Sequence, residues 1–117
     1  MLRSILTALV LLAVIQFSSY AEDWRGFRGN DGSGISRERV PTPTRWSGTQ
    51  NVRWSIELPG AGSSSPIVVG EKVLVTCYSG YGNPTGKATE ISGLKRHLVC
   101  VDRQTGKVQW QSTVKSA

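Results

Sequence analysis

The chain has 117 residues, a formal charge of +6, 38% hydrophobic residues and two cysteines. Its first 21 residues differ from the rest: Arg3 is the only charge before Glu22, and Ile5 to Ile15 is apolar except for Thr7. A basic start, an eleven-residue apolar run and a small-residue pattern ending at Ala21 read as a secretory signal peptide over 1–21. The run falls short of the about 20 apolar residues that cross a bilayer, so no stable membrane span is expected once the signal is removed. No cysteine follows it closely, which argues against a lipoprotein signal.

Beyond residue 21 the chain is poorer in apolar residues than an ordinary domain: Leu, Ile, Val and Phe together number 19 in 96. That share borders on the range in which chains fail to fold alone. The apolar residues are nevertheless grouped into strand-like runs, and all four Trp lie in this part. These features exclude a long helix, a helical bundle, a dinucleotide-binding α/β domain and a multi-domain enzyme, and point to a piece of a larger all-β structure. The 13 Lys plus Arg against 8 Asp plus Glu beyond residue 21 are scattered, whereas a nucleic-acid surface gathers its cations in a stripe. No nucleic-acid partner is expected.

In chain order, 22–50 shows no sustained period. Gly26, Gly29, Gly32, Gly34 and Gly48 with Pro41 and Pro43 make it an irregular arm that becomes ordered by lying on something else. Trp24, Phe27, Ile35 and Trp46 are its expected anchors. Val52-Arg53-Trp54-Ser55-Ile56-Glu57-Leu58 alternates cleanly and predicts a strand over 52–58, stopped by Pro59-Gly60. Ile67-Val68-Val69 is a short buried strand, and Gly70-Glu71 connects it tightly to a strand over 72–78, the pattern of a hairpin. Ser79 to Arg96 is a glycine-rich loop far longer than the usual hairpin connection of about two to five residues. Strands follow at 97–102 and 107–113, joined by the turn Arg103-Gln104-Thr105-Gly106.

Asn51-Val52-Arg53-Trp54-Ser55 and Lys107-Val108-Gln109-Trp110-Gln111 share one pattern, 56 residues apart. Without the oversized loop the spacing approaches the about 40–50 residues of one four-stranded propeller blade. Cys100-Val101-Asp102-Arg103-Gln104-Thr105-Gly106-Lys107-Val108-Gln109-Trp110 then resembles the signature of the pyrroloquinoline-quinone-like (PQQ-like) repeat. In that family an apolar residue and Asp precede x-x-Thr-Gly-Lys, an apolar residue, x and Trp. Asp102, Thr105, Gly106, Lys107, Val108 and Trp110 fit, and Val101 stands where Ala or Leu is usual. The chemistry of such a turn is plain: glycine supplies a positive φ, and the Asp102 carboxylate accepts backbone N–H groups across it. The resemblance implies that Trp110 stacks between adjacent blades.

Asp23-Trp24, Phe27-Arg28-Gly29, Asp31-Gly32-x-Gly34, Pro43, Trp46, Val52-x-Trp54, Leu58-Pro59-Gly60-x-Gly62 and Ser64-Ser65-Pro66 are similar to the start of exported bacterial PQQ-like repeat proteins of the planctomycete type. The resemblance implies a propeller of seven or eight blades, of which this chain is an amino-terminal fragment or truncated product. It would hold one blade (67–113), a closing strand carrying Val52 and Trp54, and the arm. The remaining blades, or another protein, would be its partners, and its compartment periplasmic or extracellular.

Candidate chemistry is sparse. The fold reading is a binding or scaffold module with no catalytic residue in this chain. The alternative is the front of a PQQ-dependent dehydrogenase using PQQ and calcium, and a third reading is a scaffold in outer-membrane protein assembly. No Glu/Asn/Asp constellation for a quinone and its ion can be matched, and Asp102 belongs to the turn. Gly26 to Gly34 lacks the carboxylates of a calcium loop; Gly60 to Ser65 lacks the lysine of a phosphate loop. His97, the only histidine, is expected to face solvent. Cys77 and Cys100 lie 23 positions apart. With Tyr78 opposite His97 they are diagonal neighbours about 7–8 Å apart between Cα atoms, against the roughly 4.4–6.8 Å a disulfide needs. Pairing and two buried thiols both remain open at this point.

Overall fold

The structure is a computed structural model, and it describes residues 21–82 and 90–116. The expected signal peptide, apart from Ala21, and residues 83–89 of the long loop lie outside the described residues. The described part is one four-stranded antiparallel sheet in simple meander order. Its strands are β1 (Ile67–Val69), β2 (Lys72–Ser79), β3 (Lys95–Asp102) and β4 (Val108–Lys115). The only helix among the described residues is a single 3₁₀ turn, Ile91–Gly93, at the foot of β3. The protein is all-β, with β3 beginning two residues earlier and β4 ending two residues later than the sequence predicts.

Register decides which side chains share a face, because neighbouring residues of a strand point to opposite sides. Cys77 lies opposite His97, Leu74 opposite Cys100, and Val99 opposite both Val75 and Gln111. One face therefore carries Val73, Val75, Cys77, Val99 and Val101. Cys77, Val99 and Val101 are buried there, with Trp54, Ile56, Val73 and Val75 packed against them. Each fully buried Val contributes on the order of 1.5–3 kcal/mol. The other face carries Tyr78, Leu98, Trp110 and Val114, all exposed.

The alternation over 52–58 is real but does not make a strand. The segment has no ladder partner, and its two inward residues, Trp54 and Ile56, lie on the sheet's buried face while Val52 and Leu58 are exposed. A strand needs an edge to pair with; this segment crosses a face. Trp54 holds it there. Its indole N–H donates to the Arg103 carbonyl oxygen at 2.9 Å, and its ring covers Gly106, where a Cβ would come within 2.7 Å of the indole.

The edge beside β1 is filled piecemeal. Ala61 bridges Tyr78, and between that bridge and β1 the Ser64 hydroxyl both donates to the Thr76 carbonyl (2.8 Å) and accepts the Thr76 N–H (3.1 Å). A side chain here does what a strand neighbour does elsewhere. The arm joins the outer edge of β1 at one point, where Trp24 and Val68 exchange backbone hydrogen bonds. Asp23 secures it by accepting the Gly70 N–H at 2.7 Å and holding Arg25. Of the four expected anchors only Trp24 is partly covered; Phe27, Ile35 and Trp46 are exposed. Their wide spacing between glycines and prolines gives them no common face with which to reach the sheet.

Trp54 is accordingly the test of this arrangement. Trp54→Ala is expected to cost about 3 kcal/mol, in the range of large-to-small changes at packed aromatics. Trp54→Phe should cost about 1 kcal/mol through the lost hydrogen bond. Denaturant unfolding of the two variants measures both, and a Trp54→Phe variant as stable as the parent would show that the N–H contact contributes nothing.

Candidate functional site

Three places concentrate polar chemistry or exposed aromatic surface: the β3–β4 turn, a histidine on the covered face, and the bare face. The turn is built by Asp102, the last residue of β3. Its Oδ1 accepts the backbone N–H of Gln104 at 3.0 Å and of Thr105 at 2.8 Å, and the Thr105 hydroxyl at 2.8 Å. Its Oδ2 accepts the Gln109 amide at 3.3 Å. Gly106, at φ 72°, returns its N–H to the Asp102 carbonyl, a conformation that glycine adopts without cost. These donors, the Thr105 hydroxyl foremost, hold the Asp102 carboxyl below the usual carboxylate range. Oδ1 is fully engaged by the turn, while Oδ2 has one longer contact, to Gln109.

His97 is 6% exposed. The sequence predicts a solvent-facing residue at a strand edge; β3 instead begins at Lys95, which moves His97 into the third position of an interior strand. One ring nitrogen, Nε2, is 2.8 Å from the Ser79 hydroxyl, and Nδ1 is 3.0 Å from the Thr113 hydroxyl and 3.4 Å from the Gln111 amide. Both nitrogens of a buried imidazole are thus satisfied by groups on β2 and β4, so the ring ties three strands together. Ser79 and His97 stand at the distance of a nucleophile and its base. The third member is a hydroxyl, and no carboxylate orients the imidazole. The geometry is that of a structural cross-tie.

The cysteines are free thiols. The observed register sets Cys77, not Tyr78, opposite His97. Cys100, three residues beyond His97, therefore projects to the opposite face from Cys77. A disulfide between them would pass through the sheet. Cys100 is fully buried and lies 3.7 Å from the Gln109 Oε1, beside the irregular step where both Gln109 and Trp110 face β3 between Cys100 and Val101.

Trp110 is 43% exposed. Farther along the strands from Trp110, an open groove of about 770 Å³ is lined among others by Tyr78, Tyr81, Leu94, Leu98 and Val114. Arg96 and Ser112 supply its polar edge. Among the described residues no group of three or more His, Cys, Asp or Glu side chains is placed to hold a metal ion. No helix among them is long and apolar enough to cross a membrane. Comparison of the chain with protein-family models, with curated proteins and with solved structures finds no match to any of them.

Acid should act on this chain through its turns. Asp23, held down first by the Gly70 N–H and then by Arg25, and Asp31, held by Ser33 and Arg37 at about 2, join Asp102 below the ordinary value of 3.8. A carboxyl with a depressed folded pKa stabilises the fold above its unfolded value and loses that contribution as pH falls through the folded one. Stability is therefore expected to decline from about pH 4 downward, toward the Asp31 value of about 2. Asp102→Asn should be less stable than the parent at pH 7, and the gap should narrow as the pH falls below the ordinary carboxylate value of 3.8. Thermal melts across that range read it; a gap independent of pH would assign the loss to something other than the carboxylate's charge.

Proposed function

We propose that this chain is an exported PQQ-like propeller repeat unit that works as a binding or scaffold module and carries out no catalysis by itself. The observation that supports this most directly is the seat of Trp54. The Val-x-Trp pattern occurs twice, and the first copy rests its indole on the Asp102–Gly106 turn with its N–H on the Arg103 carbonyl. The second copy, Trp110, occupies the corresponding place in β4 and lies open on an apolar face. A repeat whose tryptophan seats on the next repeat's glycine turn leaves its last tryptophan bare until a further turn arrives. On this reading, the exposed face of Trp110 receives another blade or a partner that imitates one.

The covered face contributes to the same reading. Segment 52–58 lies where a neighbouring unit would, and it buries Val99 and Val101 without pairing with any strand of the sheet. Asp102 and His97 are engaged in the turn and the cross-tie, and the exposed Trp110, Leu98 and Val114 offer apolar contact for recognition.

Two measurements test the proposal. Intact-mass spectrometry of the protein recovered from the periplasm of a bacterial host should read a chain that begins at Glu22; retention of residues 1–21 would overturn export by signal cleavage. Calorimetric titration with PQQ in calcium buffer should give no heat of binding, and dye-linked assays should show no oxidation of alcohols or sugars. Saturable quinone binding with turnover would replace the scaffold reading by that of a quinoprotein dehydrogenase.

A further inference from the structure

The outer edge of β4 is a second surface, distinct from the apolar face. β4 is the last strand of the sheet, eight residues long and exposed throughout. Among the described residues, no strand pairs with its outer side. Natural edges are protected by charges, proline or bulges. Here the bulge lies at one end, beside Trp110, and the one charged residue of the strand, Lys115, lies at the other. Gln111 to Val114 has neither charge nor proline.

The phase of the ladder says which backbone groups are offered. Ser116 donates its N–H to the Leu94 carbonyl at 2.8 Å, and the same register pairs Arg96 with Val114, Leu98 with Ser112 and Cys100 with Trp110. Hydrogen-bonded and non-bonded pairs alternate along an antiparallel ladder. From Trp110 onward, even-numbered residues of β4 therefore turn their N–H and C=O toward β3, and Gln111, Thr113 and Lys115 turn theirs outward; the bulge at Gln109 interrupts this phase.

We propose that this edge pairs with the same edge of a second copy of the chain, antiparallel about a twofold axis through Ser112. The choice of occupant rests on self-complementarity. Joining like face to like face requires residues of equal parity to meet. The register centred on Ser112 sets Trp110 against Val114 of the second copy, Gln111 against Thr113, Gln109 against Lys115, and Ser112 against itself. No two charges of one sign meet. The register centred on Gln111 opposes Lys107 and Lys115, a repulsive pair, and the register centred on Thr113 pairs fewer residues of the strand. The Ser112 register also sets the outward groups of Gln111 and Thr113 against each other twice, giving about four inter-chain backbone bonds, two for each hydrogen-bonded pair. The product is a continuous eight-stranded sheet whose two bare faces lie on the same side.

Cysteine trapping of the full chain tests this. Ser112 sits at a non-hydrogen-bonded crossing, where opposed Cα atoms are about 4.5 Å apart, close enough for a disulfide. Under mild oxidation Ser112→Cys should form a covalent dimer at least tenfold faster than Val114→Cys, whose counterpart is Trp110. Sedimentation of the unmodified chain should show a monomer–dimer equilibrium, and Ser112→Lys should shift it to monomer while leaving the far-ultraviolet spectrum unchanged. A monomer at all concentrations, equal trapping at the two positions, or association that persists in Ser112→Lys would each overturn the proposal. The last outcome would place self-association away from Ser112.

Discussion

The seating of one indole on one glycine organises the rest of the molecule. Trp54 can reach the β3–β4 turn only because Gly106 has no side chain, and Gly106 can hold its positive φ only because the turn is locked from beneath by Asp102. The lock in turn fixes where Arg103 presents its carbonyl, which is where the indole N–H bonds. With Trp54 anchored, Ile56 is carried across Val99 and Val101, and the covered face acquires the only core this sheet has. A small sheet with one exposed face has little else to hold it, since a few buried valines contribute only several kcal/mol in all. Local turn chemistry, an aromatic contact and the burial of a core are therefore one cooperative unit.

The strands were legible in the residues because each is an apolar run bounded by turn formers, and the meander follows from their order. The Asp102 turn was legible too: carboxylate, hydroxyl and glycine stand at fixed offsets, and local hydrogen bonding needs nothing from the rest of the chain. Register was not. Between β2 and β3 the sequence runs through a long glycine-rich stretch whose residues specify no tight turn type, and a shift of one residue reverses the face of every side chain. That single step separates Cys77 from Cys100 and brings His97 against Cys77 in place of Tyr78. The burial of His97 follows from where β3 begins, and that in turn depends on the 3₁₀ turn at Ile91–Gly93, which the glycine-rich pattern conceals.

The segment 52–58 shows how a correct periodicity can carry a wrong element. Alternation records that every second side chain meets an apolar surface, and says nothing about what the backbone meets. In β2 and β3 the backbone meets neighbouring strands; in 52–58 it meets none, while Trp54 and Ile56 still face inward. The arm fails differently. Its aromatics are numerous, but glycines between them let each take its own direction, so Trp24 alone finds the sheet, and it does so through its backbone bridge to Val68.

The two open surfaces of the sheet differ in kind. The face around Trp110, Leu98 and Val114 offers apolar area and little direction, so it accepts any surface of suitable shape, another unit's turn included. The edge of β4 offers backbone donors and acceptors at fixed intervals, so what it accepts is set by register and by the charges at its ends. Covering the face leaves the edge untouched, because the backbone groups of Gln111 and Thr113 lie in the plane of the sheet and the indole of Trp110 stands above it. The meander topology places both surfaces at β4, the strand most remote from the arm and its bridge to β1. Association at either surface can therefore proceed without disturbing the Trp54 seat.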